Sequence, residues 1–385
     1  KRLVEGYLHQ PYSWFLHRHS AEIGKTVLSE SSKVINKGLT PLFSLISQSA
    51  VAISIIILLI LVDLKLTIIV GLTLGTAYLS IYKLTQKFIS RIGKESVKVN
   101  EGRFTALSEA FNAAKEIKLG GLEQIYIRLF SDKAKILAKN TISLSIIGHM
   151  PRFTLEAITF GGMILVTLYL ISQSGNFITV APILALYAFA GYRLMPALQN
   201  IYNSVIQINF TAPALDSVYK DLKSLQSYKK VNSQETLKLT TDIKLKDISY
   251  DYPNTTSTAL KNINLRIEAN STVGLVGATG SGKTTAVDII LGLLEAQRGV
   301  LEVDGKEINK NNRRAWQRSI GYVPQQIFLS DNTVEANIAF GVDPKDIDLE
   351  AVERASRIAN LHEFVTNDLS LQYKTLVGEN GIRLS

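Results

Sequence analysis

Gly277-Ala-Thr-Gly-Ser-Gly-Lys-Thr-Thr285 sets three glycines and one lysine within nine residues. Gly277, Gly280 and Gly282 reach backbone angles closed to residues with a Cβ, so successive N–H groups can turn inward on one concave face. Ala278, Thr279 and Ser281 are small enough to leave that face open, and Lys283 adds a point charge beside it. Ser271–Val276, rich in Val and Leu, reads as a short strand, and Thr284–Leu294 (TTAVDIILGLL) carries the apolar spacing of a buried helix. Strand, glycine loop and helix in that order make a cradle for the β- and γ-phosphates of a nucleotide. The helix would direct its positive end at the anion, with Ser281 and Thr285 adding contacts there and the Thr284 hydroxyl placed to ligate Mg²⁺. A glycine-rich turn without a ligand is the structural alternative, and it leaves the flanking strand and helix unexplained.

Ahead of this loop the chain is apolar in long blocks. Of its 385 residues 46% are hydrophobic, and the mean hydropathy is positive. Gly38–Val62 and Leu66–Tyr82 hold no charged residue and are separated only by Asp63-Leu-Lys65, which reads as a membrane hairpin with a tight polar turn. A second uncharged run, Ala157–Tyr192, is broken by Gln173-Ser-Gly-Asn176 and is too long for one span. Two helices starting near Arg152 and Phe177 meet the requirement of roughly 20 residues each. The expected spans are 38–62, 66–84, 152–172 and 177–198. Buried helices of a large soluble protein are the alternative, but four such runs are hard to bury in a chain of this size.

Basic residues orient the spans. Lys83–Lys139 holds 12 Lys or Arg, whereas the turns on the other side hold only Lys65, so the middle segment is expected on the cytoplasmic side, together with the glycine loop. The net charge of +9 then needs no nucleic acid; positive-inside bias and anionic headgroups account for it. The absence of cysteine excludes a disulfide framework and a thiolate metal site. The middle segment reads as two helical arms, Thr85–Leu107 descending and Leu122–Ser143 returning, each about 40 Å long at most. Phe111–Gly121 supplies the turn between them, and an equivalent turn is expected near Tyr12–Gly24.

At this point the residues resemble a family. Tyr250-Asp-Tyr252-Pro253 ahead of the first strand pair, the glycine loop and Tyr322-Val-Pro-Gln325 follow one another in order. Ser330–Gly341 (SDNTVEANIAFG) and Thr375-Leu-Val-Gly-Glu-Asn-Gly381 complete the series. The chain is similar to ABC exporters of the half-transporter kind, and the likeness covers almost all of it. The resemblance implies an all-α transmembrane domain over 1–224, with cytoplasmic arms 1–37 and 85–143, in the bacterial inner membrane. A linker would follow at 225–240, then an α/β P-loop nucleotide-binding domain over 241–385. It also implies ATP and Mg²⁺ as cofactors, Tyr252 stacking on adenine, Gln325 reaching the metal and the attacking water, and Lys283 on the phosphates. The alternatives are a strand aromatic for Tyr252 and an ordinary loop amide for Gln325.

Leu384-Ser385 look like the first letters of the family's Leu-Ser-Gly-Gly-Gln signature, residue 1 is lysine rather than methionine, and the family usually has six spans against the four counted, so both domains are expected to be truncated. The signature, the Mg²⁺-binding aspartate, the glutamate that polarises water and the switch histidine would lie beyond. His17, His19, His149 and His362 lack the context to replace them. The resemblance further implies a second half-transporter subunit, most simply a homodimer, that completes each ATP site. Pro151-Arg152-Phe-Thr-Leu-Glu156 and Gly191-Tyr-Arg193-Leu-Met-Pro196 look like segments of bacterial flippases for lipid-linked oligosaccharides. Arg152 and Arg193 could pair with an anionic headgroup. The plainer reading pairs Arg152 with Glu156 along one helix face and lets Arg193 snorkel. A multidrug, lipid or peptide exporter, a soluble ABC-type ATPase acting on DNA, and a non-hydrolysing membrane regulator are the competing functions.

Overall fold

A computed structural model describes residues 1–174, 177–225, 235–253, 258–325, 327–378 and 381. Two compact units divide the chain, Lys1–Ser233 with Thr284–Ala296, and Gln234–Lys283 with Gln297–Ser385.

The first unit is helical. Short helices α1 (Arg2–Leu8) and α2 (Tyr12–Phe15) precede α3 (Ser20–Val62), with breaks at 9–11 and 16–19. Asp63 ends α3 because its backbone turns extended (φ −152°, ψ 102°), and its carboxylate then caps α4 (Leu64–Asn112) by accepting from the Leu66 N–H at 3.0 Å. The hairpin is therefore made by one acidic residue serving both helices. α4 runs 49 residues without a break, roughly 70 Å, so the apolar run and the descending arm are one rigid rod. α5 (Ala114–Gly120) makes the far turn and stops at Gly121 in the left-handed region (φ 61°). α6 (Glu123–Ser174) returns, again as one helix, with Pro151 inside it, and α7 (Phe177–Ser224) closes the unit.

α3 and α4 are the two helices among the described residues that are long and apolar enough to cross a membrane. Their outer faces carry Phe43 (69% exposed), Leu61 (82%) and Leu72 (63%), side chains that hydrocarbon solvates and water does not. Toward the arms, Ile89 and Ile92 of α4, Leu144 of α6, and Tyr202, Ile206 and Phe210 of α7 form a buried cluster. Gly93 lets α4 and α7 approach, since a Cβ there would stand 2.6 Å from the Phe210 carbonyl oxygen. Polar side chains also cross between the arms, with Asn140 Nδ2 donating to Glu95 at 3.0 Å and Lys25 Nζ meeting Glu101 at 2.9 Å.

The second unit carries an antiparallel sheet in the order β2-β1-β3-β4, with β1 at Asp242–Asp251, β2 at Thr258–Glu268, β3 at Arg298–Val303 and β4 at Lys306–Glu307. Tyr250 lies within β1, opposite Leu260 of β2, rather than ahead of the strand pair. The strand expected at Ser271–Val276 is not formed. The segment is exposed and irregular, and no strand among the described residues runs beside it to complete a hydrogen-bonded ladder. Asp304 forms the β3–β4 turn at φ 51° and its carboxylate accepts from Thr240 N and Oγ1, Thr241 N and Asp242 N at 2.7–3.0 Å. Those bonds, the Thr240 hydroxyl first, hold the carboxyl down at about 2.

α8 (Lys283–Ile290) follows the glycine loop and ends earlier than the expected Leu294. Gly292 takes φ 64°, and the N–H groups of Leu293 and Leu294 both turn back to the Asp288 carbonyl. Beyond the sheet, α9 (Arg313–Gln317) is followed by α10 (Val334–Ile338), α11 (Leu349–Ile358) and α12 (His362–Asn367). Thr333 and Asp348 cap α10 and α11 through their side-chain oxygens, and Val334, Val352, Val365, Tyr373 and Val377 form the cluster beneath them.

Candidate nucleotide-binding loop

Gly280 and Gly282 adopt φ of 82° and 87°, angles that cost an L-residue roughly 1–2 kcal/mol. Gly282 carries a second constraint, because a Cβ there would lie 2.6 Å from the Ala259 carbonyl oxygen of β2. At Gly277 a Cβ would meet Ser281 Oγ at 2.6 Å. The turn is thus too tight at Gly277 and Gly282 for any residue with a Cβ. Ala278, Thr279, Gly280 and Ser281 are exposed along it.

Lys283, the first residue of α8, folds its ammonium back over the loop. Nζ donates to Gly277 O at 2.7 Å and Ala278 O at 2.8 Å, and stands 3.4 Å from Ser281 Oγ. These are bonds to neutral carbonyls, which an anion's oxygens would replace with stronger charge-assisted ones. In the first turn of α8, Thr284 is exposed and Thr285 is buried. One turn on, burial pushes the Asp288 carboxyl up. The residues fit a triphosphate with its magnesium ion: small residues clear the space, one ammonium stands over it, and an exposed hydroxyl follows where a metal ligand is needed.

The remaining candidates stand on other segments of the chain. Tyr252 is half-buried just past β1, and its ring meets Tyr250 edge-on at 5.1 Å and 89°. Tyr250 itself is 4% exposed and belongs to the core. Gln325 is exposed at a bend, and no hydrogen bond among the described residues ties it to the loop. His362 is a packing residue whose Nδ1 lies 2.8 Å from the Tyr373 hydroxyl.

Arg152 Nε donates to Glu156 Oε1 at 2.8 Å, four residues along α6. Arg193 is exposed on α7, and no ion pair among the described residues holds it or joins it to Arg152. Sequence reasoning also passed over Ala259, whose carbonyl fixes the need for Gly282. A strand carbonyl more than twenty positions upstream leaves no local mark.

Comparison with known proteins places both units. Residues 1–197 match the family model for the ABC transporter transmembrane region, and residues 260–385 match the model described as ABC transporter. The chain is similar to the ATP-dependent lipid A-core flippases of Cupriavidus metallidurans (25% identical, all of this chain and 64% of that protein) and Shigella flexneri (24%, all of this chain and 66% of that protein). It therefore spans about two thirds of the length of the relatives it matches. A solved structure titled as a bacterial Atm1-family ABC exporter with ATP bound superposes with a TM-score of 0.82 at 17% identity, over all of this chain and 66% of that one. A helical transmembrane domain followed by a nucleotide-binding domain in one polypeptide, matched over both parts, makes the chain a member of the ABC transporter family.

Proposed function

We propose that the full-length protein is an ATP-driven exporter that flips a lipid-linked or other amphipathic substrate across the bacterial inner membrane, working as a homodimer of half-transporters. The observation that carries this reading is the Gly277–Thr285 loop, with two positive-φ glycines and Lys283 over its carbonyls, joined in one chain to long apolar helices. Gly277, Gly280 and Gly282 let backbone amides close around the β- and γ-phosphates, with Ala278, Thr279, Ser281 and Thr285 beside them. Lys283 exchanges carbonyl partners for phosphate oxygens. Thr284 and Gln325 would hold a magnesium ion, which would neutralise charge on the phosphates, and Gln325 would orient the attacking water. Tyr252 offers its ring face to adenine.

Domain limits of 1–224, 225–240 and 241–385 accompany this reading. The relatives named as lipid A-core flippases support a lipid as substrate. On α7, Arg193 is the stronger candidate for its headgroup, since Arg152 already has Glu156. The test is ATP hydrolysis by the full-length protein in liposomes. Lys283→Ala abolishes it with every substrate. A polyprenyl-diphosphate sugar stimulates it, and Arg193→Ala removes the stimulation while basal turnover remains. Retained turnover in Lys283→Ala overturns the assignment of the loop; undiminished stimulation in Arg193→Ala overturns only the headgroup contact.

A further inference from the structure

Where α3 approaches the membrane run, its backbone widens twice. Lys25–Glu30 and Ile35–Leu39 are π-helical, and Ser31 Oγ and Thr40 Oγ1 each donate to a carbonyl five residues back, at 2.9 and 3.2 Å. Such turns break the regular ladder at a cost and are frequent where a helix serves a ligand. Between and within them stand Lys33 and Lys37, which border a cavity of about 470 Å³ together with Arg103 of α4, Thr141 of α6 and Phe210 of α7.

The charges in this cavity do not balance. No acid lines it; Glu30, behind Lys33, is fully buried, its Oε2 stands 4.0 Å from Lys33 Nζ, and that oxygen has no hydrogen-bond partner among the described residues. Its Oε1 accepts from Asn100 Nδ2 at 2.9 Å, and Asn100 Oδ1 accepts from Arg103 Nη2 at 2.9 Å. No carboxylate among the described residues pairs with Lys37 or Arg103, so of the three cations only Lys33 has an acid within 4.0 Å. Lys33 lies 5.0 Å over the Phe210 ring with 15% of its side chain exposed. Burial, with the like charge of Lys37 adding to it, pushes its ammonium below the ordinary lysine value. A cluster that repels itself and keeps unused donors around a cavity is complementary to a compact dianion.

We propose that the cavity formed by Lys33, Lys37 and Arg103 binds a phosphate monoester group, carried either by an inner-leaflet lipid headgroup or by a soluble phosphate compound. The cations come from α3 and α4 while α6 and α7 form the remaining walls, so occupancy fastens all four helices in this arrangement. The site uses neither a residue of the glycine loop nor Arg193. Lys37 immediately precedes the uncharged run that starts at Gly38, which sets the Lys37 rim of the cavity near headgroup level, while Arg103 stands further along the cytoplasmic arm. The lipid arm of the test rests on the membrane orientation proposed above; the soluble arm does not.

The experiment follows thermal unfolding of the full-length protein in phosphatidylcholine nanodiscs, titrated with phosphatidic acid in the bilayer or with glycerol 3-phosphate in solution. Binding raises the midpoint by mass action. Stabilisation by glycerol 3-phosphate identifies a soluble source, and stabilisation by phosphatidic acid alone identifies a lipid. Lys37→Gln/Arg103→Gln is expected to weaken either by about tenfold, the loss of two charge-assisted contacts. Lys94→Gln/Lys98→Gln, which removes the same charge from the exposed face of α4, leaves it unchanged. Should the first variant fail to fold, Lys37→Gln alone gives about a threefold loss. Absence of stabilisation by both phosphates, or equal weakening in both double variants, overturns the proposal.

Discussion

Gly280 and Gly282 have nearly the same φ but different surroundings, and that separates what substitution does at each. At Gly280 a Cβ meets nothing within 4 Å, so Gly280→Ala carries only the backbone term, about 1–2 kcal/mol. At Gly282 the same methyl adds a clash with a strand carbonyl that cannot move without disturbing β2. Binding of a fluorescent ATP analogue at equilibrium is therefore expected to weaken about tenfold in Gly280→Ala and to be lost in Gly282→Ala. Asp304 supports a different prediction. Its folded pKa of about 2 lies below the ordinary value near 3.9, so its contribution is complete above about pH 4 and disappears as pH falls through 2. Hydrogen exchange at the Thr240, Thr241 and Asp242 amides should be faster in Asp304→Asn than in the wild type at pH 5, and the difference should vanish near pH 2. The loop's residue types were legible because each follows from a local need, backbone freedom or charge. The Lys33, Lys37 and Arg103 cavity was not, since 66 positions separate Lys37 from Arg103 and only helix packing joins them.

Among the elements, the helices were easier to read than the strands, for a physical reason. A helix satisfies its own backbone, so an uncharged run of sufficient length is enough to place α3 and α4. What the run could not reveal was continuity: α4 and α6 carry on through the polar arm without a break, because nothing in the change from apolar to charged side chains interrupts an i to i−4 ladder. A strand needs a neighbour. Ser271–Val276 has the right composition and lacks one among the described residues. Packing between helices turns on one small position, Gly93, held against the Phe210 carbonyl. Gly93→Ala pushes α4 from α7 and costs about 1–3 kcal/mol, as overpacking does. It should lower the Tm of the detergent-solubilised chain by several degrees, whereas Gly75→Ala, with open space around it, should leave it within about a degree. Equal midpoints for the two variants would contradict the close approach of α4 and α7.

At the scale of the whole molecule the distribution of charge makes the sharpest claim, because it assigns sides. The α3–α4 turn carries Asp63 and Lys65, while the arm between the long helices carries 12 Lys or Arg over Lys83–Lys139. Translocating the arm would move those charges across the bilayer, at a cost for each one even when partly solvated. Within these 385 residues there is no cysteine, so a single introduced thiol reports its own side without a background. Lys65→Cys samples the α3–α4 turn and Ser108→Cys the far end of α4, 43 positions away on one continuous helix. In intact cells a membrane-impermeant maleimide should label Cys at 65 and spare Cys at 108; in inverted vesicles the order should reverse. Labelling of both from one side would mean that α4 does not cross the membrane. An order opposite in both preparations would keep the crossing and place the glycine loop away from cytoplasmic ATP, which the proposed ATP-driven function does not survive.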